Sequence, residues 1–344
     1  PSFTSSLRHQ LDSLSVEEQD WVMRLAQADT VQATGFDGKQ GLSQLADSGL
    51  SKTQQARILQ VATDWLYLQT LSGFIDRCQA LPHSHAMLST RSVLGAQPSF
   101  TPVPKPTTAP DEGHASGRTQ FAIVSDPTNT SKNDDLALDI QLRPAYHDLL
   151  DDAAGFVPGA QIQFGTLNVR VRPHSSRIRL TDFTLVDIIS ASPRDAFFKP
   201  LSWQASFGLR RSSRRSGNDE GRLGAYVQGG AGLTWAHTPS LKSYIYQLNS
   251  GDFNTDLNHS YALSMGLQTG LLWQASTNQQ WQAQIQGLQD VLGDSQRRAE
   301  LKLAWHHKLD ADWALRLEAE QYWQEHHGSN TNNTQVKLGA LYYW

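Results

Sequence analysis

Charged residues spaced two apart within apolar segments are the feature of this chain best placed to do chemistry. Glu300 and Lys302, then Arg316, Glu318 and Glu320, then Lys337 fall on three successive C-terminal segments with the same facing. Asp139, Arg143, Arg170 and Arg172 repeat the pattern nearer the middle. In extended chain, alternate residues share a face. Charges held inside a low-dielectric interior must pair, because unpaired ones are costly. The spacing therefore predicts either a structural ladder that fills a lumen or a selectivity lining for a polar pathway.

Other chemistry is sparse. His306 and His307 are neighbours, so on a strand they point to opposite faces and cannot chelate one ion together. His83 and His85 flank Ser84 just after Pro82, in an expected loop, and His326-His327 lies in an expected surface loop. The loosest hydrolase grouping pairs His147 and Asp148 with Ser192 and Asp195, though nothing marks Ser192 as activated. The single Cys78 excludes an internal disulfide and a cysteine zinc cluster, and reads as a bystander thiol. We find no Gly-rich phosphate loop and no zincin helix. No catalytic residue, cofactor or metal is therefore expected. Net charge is −4, which gives a nucleic-acid partner no electrostatic support.

The elements that must hold these charges are strands. From Arg118 onward about twelve apolar-alternating segments are separated by polar breaks. They begin near 118–125, 135–146, 159–172, 177–190, 200–211, 222–236, 241–249, 260–275, 280–291, 297–308, 312–324 and 335–344. Mean hydropathy is −0.46, and no run of about 18 apolar residues is present, so no membrane-spanning helix is expected. A spanning barrel strand needs only about 9–11 residues with one apolar face. Trp235, Trp273, Trp281, Trp305, Trp313 and Trp323 sit near the ends of such faces, as an interfacial aromatic girdle would. The chain closes on Lys337, Gly339, Tyr342 and Trp344, in an order that resembles the assembly signal of bacterial outer-membrane β-barrels. The expected fold is thus mainly β: a transmembrane antiparallel up-and-down β-barrel of about 12 strands. Its partners would be outer-membrane lipid and the barrel assembly machinery.

Two strands strain this pattern. In 160–171 the alternation shifts frame around Gly165-Thr166, which predicts a bulge. In 177–190, Asp182 and Asp187 fall on opposite faces, and one of them is hard to place against lipid.

Ahead of the barrel, residues 1–95 read as a small helical periplasmic region. Ser15-Val16-Glu17-Glu18 and Ser51-Lys52-Thr53-Gln54 are capping boxes, each before residues at helical spacing. Gly35, Gly38, Gly41 and Gly49 are expected to break the segment between them. Residues 96–117 carry Pro98, Pro102, Pro104, Pro106 and Pro110 and read as a linker. With both termini in the periplasm, the outer turns are 126–134, 173–176, 212–221, 250–259, 292–296 and 325–334, and several are long. The inner turns are tight except for two. His147, Asp148 and Asp151 mark one, and Arg194, Asp195, Phe197 and Phe198 mark the other. Their mixed apolar and charged content predicts docking, with the helical region as one candidate surface. No secretion signal opens the chain, so it reads as a processed product or fragment.

Three segments carry a family resemblance: Asp111-Glu112-Gly113-His114-Ala115-Ser116-Gly117-Arg118, Leu142 to Asp151, and Ser192 to Trp203. Together they resemble the C-terminal half of proteobacterial proteins with an Lnb-type N-terminal periplasmic domain. In that family the upstream domain looks like a papain-like, thiol-dependent transacylase or peptidase. The resemblance implies that its Cys and His would precede Pro1, and Cys78 lies in the wrong region to replace them. It therefore implies a barrel that anchors or partners a periplasmic enzyme domain, upstream or on another chain. The charged lumen favours a pore as the alternative, and an outer-membrane hydrolase or acyltransferase is a third reading.

Overall fold

The computed structural model describes residues 2–26, 38–105, 108–109, 112–125, 136–174, 176–211, 221–326 and 328–344. The chain divides into two compact units, Pro1–Lys105 and Pro106–Trp344. No helix among the described residues is long and apolar enough to cross a membrane.

The first unit holds α1 (Phe3–Asp12), α2 (Val16–Ala26), α3 (Gly38–Ala46), α4 (Lys52–Leu71) and α5 (Arg77–Val93). Both capping boxes form. The Ser15 N–H donates to Glu18 Oε2 at 2.8 Å and the Glu18 N–H to Ser15 Oγ at 3.2 Å, and Ser51 and Gln54 make the same reciprocal pair. Leu7, Val22, Leu25, Ile58, Leu59, Val61 and Leu66 are buried, so the apolar stripes face one another. Two expectations fail here. Gly38 and Gly41 do not break the chain but lie in α3, where burial of Leu42 and Leu45 outweighs roughly 1 kcal/mol of glycine penalty each. Gly35 lies outside the described residues. His83 and His85 are not in a loop: α5 starts from the Asp76 cap and carries Pro82 within it, forfeiting a single backbone bond.

The second unit is a barrel. Twelve long strands form its ring: β1 (Arg118–Ser125), β2 (Leu136–Arg143), β4 (Ala160–Arg172), β5 (Arg177–Ser190), β7 (Ser202–Arg211), β8 (Leu223–Thr238), β9 (Leu241–Phe253), β10 (Tyr261–Ser276), β11 (Gln279–Leu292), β12 (Gln296–Lys308), β13 (Trp313–His326) and β14 (Ser329–Tyr343). Two short strands, β3 (Ala145–His147) and β6 (Pro193–Arg194), lie beside it. Successive ring strands pair antiparallel, β2 pairs with β4, and β1 pairs with β14 from Arg118↔Tyr343 to Ser125↔Val336. Among the described strands the ring leaves no free edge, which is the condition for a strand-built structure to sit in lipid.

Every ring strand exposes at least one large apolar side chain, from Phe121 and Ile123 on β1 to Leu338 and Tyr342 on β14. In water such an encircling apolar surface would be unfavourable; in a bilayer it is required. The alternate residues point inward and are mostly polar. The sequence thus builds a transmembrane barrel of the outer-membrane type.

The two strained strands resolve together. Gly165 has φ +65°, and Leu185 is skipped where Thr184 pairs with Gly208 and Val186 with Phe207. The frame changes on both strands at facing positions, Gly165 opposite Leu185, but the extra residues sit on β5, Leu185 against β7 and Thr181 against β4, rather than in the bulge expected on β4. Asp182 and Asp187 consequently both line the lumen, where Asn168 and Gln161 donate to them at 2.6 Å each. The expectation that one of them faces lipid was wrong because it assumed an unbroken period on β5.

The expected outer loop at 325–334 is also mostly strand: β13 runs to His326 and β14 starts at Ser329, with His326↔Ser329 paired. Its Asn and Thr residues read as turn formers, yet they pair with Gln321 to Glu325 across the hairpin. β9 likewise continues past the expected residue 249 to Phe253. The expected loops at 126–134 and Arg214 to Glu220, and His327, lie outside the described residues.

The ring's seam depends on Gly117. Its N–H donates to the Trp344 carbonyl at 3.1 Å, and the Trp344 N–H donates back at 2.9 Å. A Cβ there would lie 2.7 Å from the Trp344 carbonyl oxygen. Gly117→Val should destabilise the barrel by about 1–3 kcal/mol through this clash. The check is the temperature at which the folded band is lost on heat-modifiability gels; an unchanged temperature contradicts it.

Candidate functional site

The connection after β3 folds into the barrel's own mouth. β3 carries the line of β2 past Pro144, both pairing antiparallel with β4 in one register, and Tyr146 within it has φ +82°. Asp148 Oδ1 then accepts from the N–H of Leu150 at 2.9 Å and of Asp151 at 3.0 Å, while the Asp148 N–H donates to Asp151 Oδ2 at 3.0 Å. This local turn fixes two carboxylates side by side. Like charges tolerate that only against several cations, and three arginines from separate strands supply them.

Arg316 on β13 donates to Asp148 Oδ2 at 2.7 Å and Oδ1 at 3.0 Å, and to Asp151 Oδ1 at 3.0 Å. Arg143 on β2 donates to Asp151 Oδ2 at 2.7 Å and Asp148 Oδ2 at 3.3 Å. Arg118 on β1 bonds Asp148 closely and Asp151 at 3.0 Å. The Tyr343 hydroxyl donates to Asp151 Oδ1 at 2.7 Å. Gln280 on β11 donates to the Asp151 carbonyl at 2.7 Å, and Lys308 on β12 to Asp152 at 2.5 Å. All five members of the Arg–Asp cluster are buried. Burial raises the Asp148 and Asp151 carboxyls. The surrounding arginines, Arg316 first for Asp148 and Arg143 first for Asp151, more than reverse this and hold both well below the usual carboxylate range.

Beside this cluster His114, His147 and Phe156 stack. The His147–Phe156 centroids are 4.4 Å apart, and His114 Nε2 lies 3.0 Å from His147 Nδ1. Burial lowers the His147 pKa against the pull of Asp151 and Asp148, which leaves an uncharged ring at neutral pH. Ligand atoms of His114, His147 and Asp151 lie within 4.8 Å of one another. The electrostatics oppose a cation there: both Asp151 oxygens already accept from arginine, and three guanidiniums surround it.

Above the mouth the lumen is polar. Lys302 reaches Glu318 at 3.1 Å and Glu320 at 3.2 Å. Lys337 reaches Asp139 at 3.8 Å and Glu318 at 4.0 Å. Arg170 grips both Asp139 oxygens, at 2.7 and 2.8 Å. This ladder crosses the β14–β1–β2 seam, where the small inward Ala122 lets Lys337 reach over β1. Glu300 accepts from Gln286 at 2.8 Å, and Arg172 is buried. Below and beside the ladder lies a cavity of about 340 Å³, with Asp148, Leu149 and Leu150 at one end. A second, of about 210 Å³ between Arg210, Arg298 and Tyr322, shares Gln286 and Glu300 with it.

The residues singled out in the sequence fall into place unevenly. Glu300, Lys302, Arg316, Glu318, Lys337, Asp139, Arg143 and Arg170 line or join the lumen network, but Arg143 and Arg316 serve the mouth rather than the ladder. Trp235, Trp273, Trp281, Trp313 and Trp323 are exposed on the outer face, and Trp305 packs against Trp281 at 6.1 Å. All but Trp323 sit at the end of the barrel that holds the termini. Of the terminal signal, Lys337 and Gly339 face in, Tyr342 and Trp344 face out, and the Trp344 indole donates to Thr119 at 3.0 Å.

The expected docking segments diverge. His147, Asp148 and Asp151 contact barrel strands, so they are not an outward docking face. The second segment stays partly exposed: Asp195 caps the Phe197 and Phe198 N–H groups at 2.8 and 2.6 Å, and Arg194 pairs with Trp235 through β6. Ser192 Oγ meets Ser190 Oγ at 3.1 Å, while the ring of His147 meets His114, so the loose hydrolase grouping is not assembled. Sequence reading missed Arg118, His114, Tyr343 and the inward row Gln280, Gln282, Gln284 and Gln286. The last was visible as glutamine at every second position between the outward residues Trp281, Ala283 and Ile285.

Comparisons with solved structures give distant likenesses to porins and channels. The NanC porin aligns with TM-score 0.38 and 11% identity over 65% of this chain and 98% of its own. The KdgM porin in complex with disordered oligogalacturonate gives 0.36 and 10%, over 66% and 99%. The COG4313 outer membrane channel from Pseudomonas putida F1 gives 0.40 and 10%, over 72% and 100%. The barrel assignment itself stands on ring closure and the apolar belt. No curated protein matches. Residues 1–103 match a domain of unknown function, DUF7842. Residues 107–343, the whole barrel with its mouth segment, match the domain of unknown function DUF7840, and the chain belongs to that family.

Proposed function

We propose that this barrel is an outer-membrane channel for small polar solutes, held shut on the side of its termini by the segment after β3. One observation carries the reading. A closed transmembrane ring encloses a polar cavity of about 340 Å³ whose end is formed by Asp148, Leu149 and Leu150. A barrel that served only as an anchor could fill its lumen with packed side chains; this one keeps polar space behind a removable segment. The segment is tethered by ion pairs and hydrogen bonds rather than by strand pairing, so its release leaves the ring intact.

Planar-bilayer conductance tests this. The full chain should be silent or open rarely. A variant with residues 148–158 replaced by a short Gly-Ser linker should show discrete conductance steps. A variant that folds, by heat-modifiable migration, yet stays silent would remove the channel reading.

A second reading has its own support. A compact helical unit, Pro1–Lys105, precedes the barrel unit, and three segments resemble proteins with an Lnb-type periplasmic domain. On that reading the helical unit lies in the periplasm, and the barrel anchors or partners a thiol-dependent domain. Co-purification of the separately expressed upstream domain with this chain decides it; two species that elute apart count against the anchor.

A further inference from the structure

We propose that the lumen cavity is a binding site for a neutral, hydroxyl-rich small molecule, a polyol or small sugar. This rests on the channel reading for its biological sense, but the site itself is argued from its walls.

Nine glutamines line the cavity, contributed by β2, β4, β7, β8, β10 and β11. Each carboxamide carries two donors and an acceptor on one neutral group. A wall of such groups meets hydroxyls in either hydrogen-bonding role, which suits a ligand dense in groups that also both donate and accept. Gln204 and Gln268 already pair across the barrel at 2.8 Å, and Tyr244 donates to Gln284 at 2.9 Å. These bonds hold the amides in fixed orientations, as a specific site needs.

The cations at the same surface are already paired with carboxylates, and the remaining carboxylates accept from neutral amides. Lys302 is held by Glu318 and Glu320, Arg316 and Arg118 by Asp148, Asp187 by Gln161, and Asp182 by Asn168. An anionic ligand would have to break one of the buried ion pairs, leaving its partner uncompensated, and a cationic one would have to displace the amide that holds Asp182, Asp187 or Glu300. An apolar ligand would strip the amides of water with nothing in return. A neutral polyhydroxylated solute does neither. The volume, about 340 Å³, lies at the small end of ordinary small-molecule sites, roughly 300–1,000 Å³.

The test is saturation-transfer NMR on the full chain in detergent micelles. The probes are sorbitol, glucose and maltose, set against glucuronate, glucosamine and glycylglycine. Transfer to at least one neutral probe and not to the charged ones is expected. In the folded double variant Gln228→Leu/Gln284→Leu, binding should weaken on the order of tenfold, the loss expected for two hydrogen bonds. Transfer only to charged probes, transfer to none, or neutral binding unchanged in that variant would each overturn the site. Conductance is read separately. A folded 148–158 replacement variant that stays silent while the full chain binds the neutral probe removes the channel reading and keeps the site; a variant that conducts while the full chain binds no neutral probe does the reverse.

Discussion

Asp151→Ala should lower the stability of the folded barrel by about 3–5 kcal/mol, the range for removing one partner from a buried ion network. Asp151 accepts from Arg118, Arg143, Arg316 and the Tyr343 hydroxyl, and from the Asp148 N–H. Without it three buried guanidiniums share a single carboxylate. The loss is therefore not one contact but the unbalanced charge of the rest. Urea unfolding in bilayers measures it, and a change under about 1 kcal/mol would contradict the network's role. The same variant should loosen the mouth and raise conductance.

Protonation should act in the same direction but only in strong acid. Both carboxyls sit well below their ordinary value of 3.8 in the folded state. A depressed folded pKa contributes stability that is present above the unfolded pKa and lost as pH falls through the folded one. Acidifying from pH 7 to 5 should thus leave the mouth sealed, read as unchanged conductance.

How far the sequence disclosed this molecule depends on the range of the signal. The ring strands were legible because alternation is local: the apolar set on 261–273 names its own face without any neighbour. Lys302, Glu318 and Lys337 were legible as a ladder because adjacent hairpin strands keep a simple register. The mouth was not. Asp148 and Arg316 are 168 residues apart, and a polar inter-strand segment reads the same whether it faces water, a partner or the lumen. Asp182 and Asp187 misled for another reason. The extra residue at Leu185 answers the positive φ of Gly165 on the facing strand, and only pairing reveals that the two irregularities coincide. Turn-forming composition misled at Ser329 to Thr334, where hydrogen bonding to β13 outweighs weak strand propensity.

Leu267→Arg separates lipid from water as the medium around the barrel. Leu267 lies near the middle of β10 and is 58% exposed on the outer face. Its β10 neighbours on that face, Met265 and Thr269, offer no charge to pair with an arginine. On a protein surrounded by water, a charged residue at an exposed site is within about 0.5 kcal/mol of neutral. At the midplane of a bilayer the same change destabilises by about 2–4 kcal/mol, because the guanidinium must drag water inward or deform the lipid. Asn330→Arg is the internal control: it lies on the polar extension of β14, beyond the apolar belt, and should be close to neutral. Equilibrium unfolding of both variants in bilayers gives the contrast directly. Equal, small effects at the two positions would mean that the belt does not face hydrocarbon. The closed ring would then need another partner to cover it.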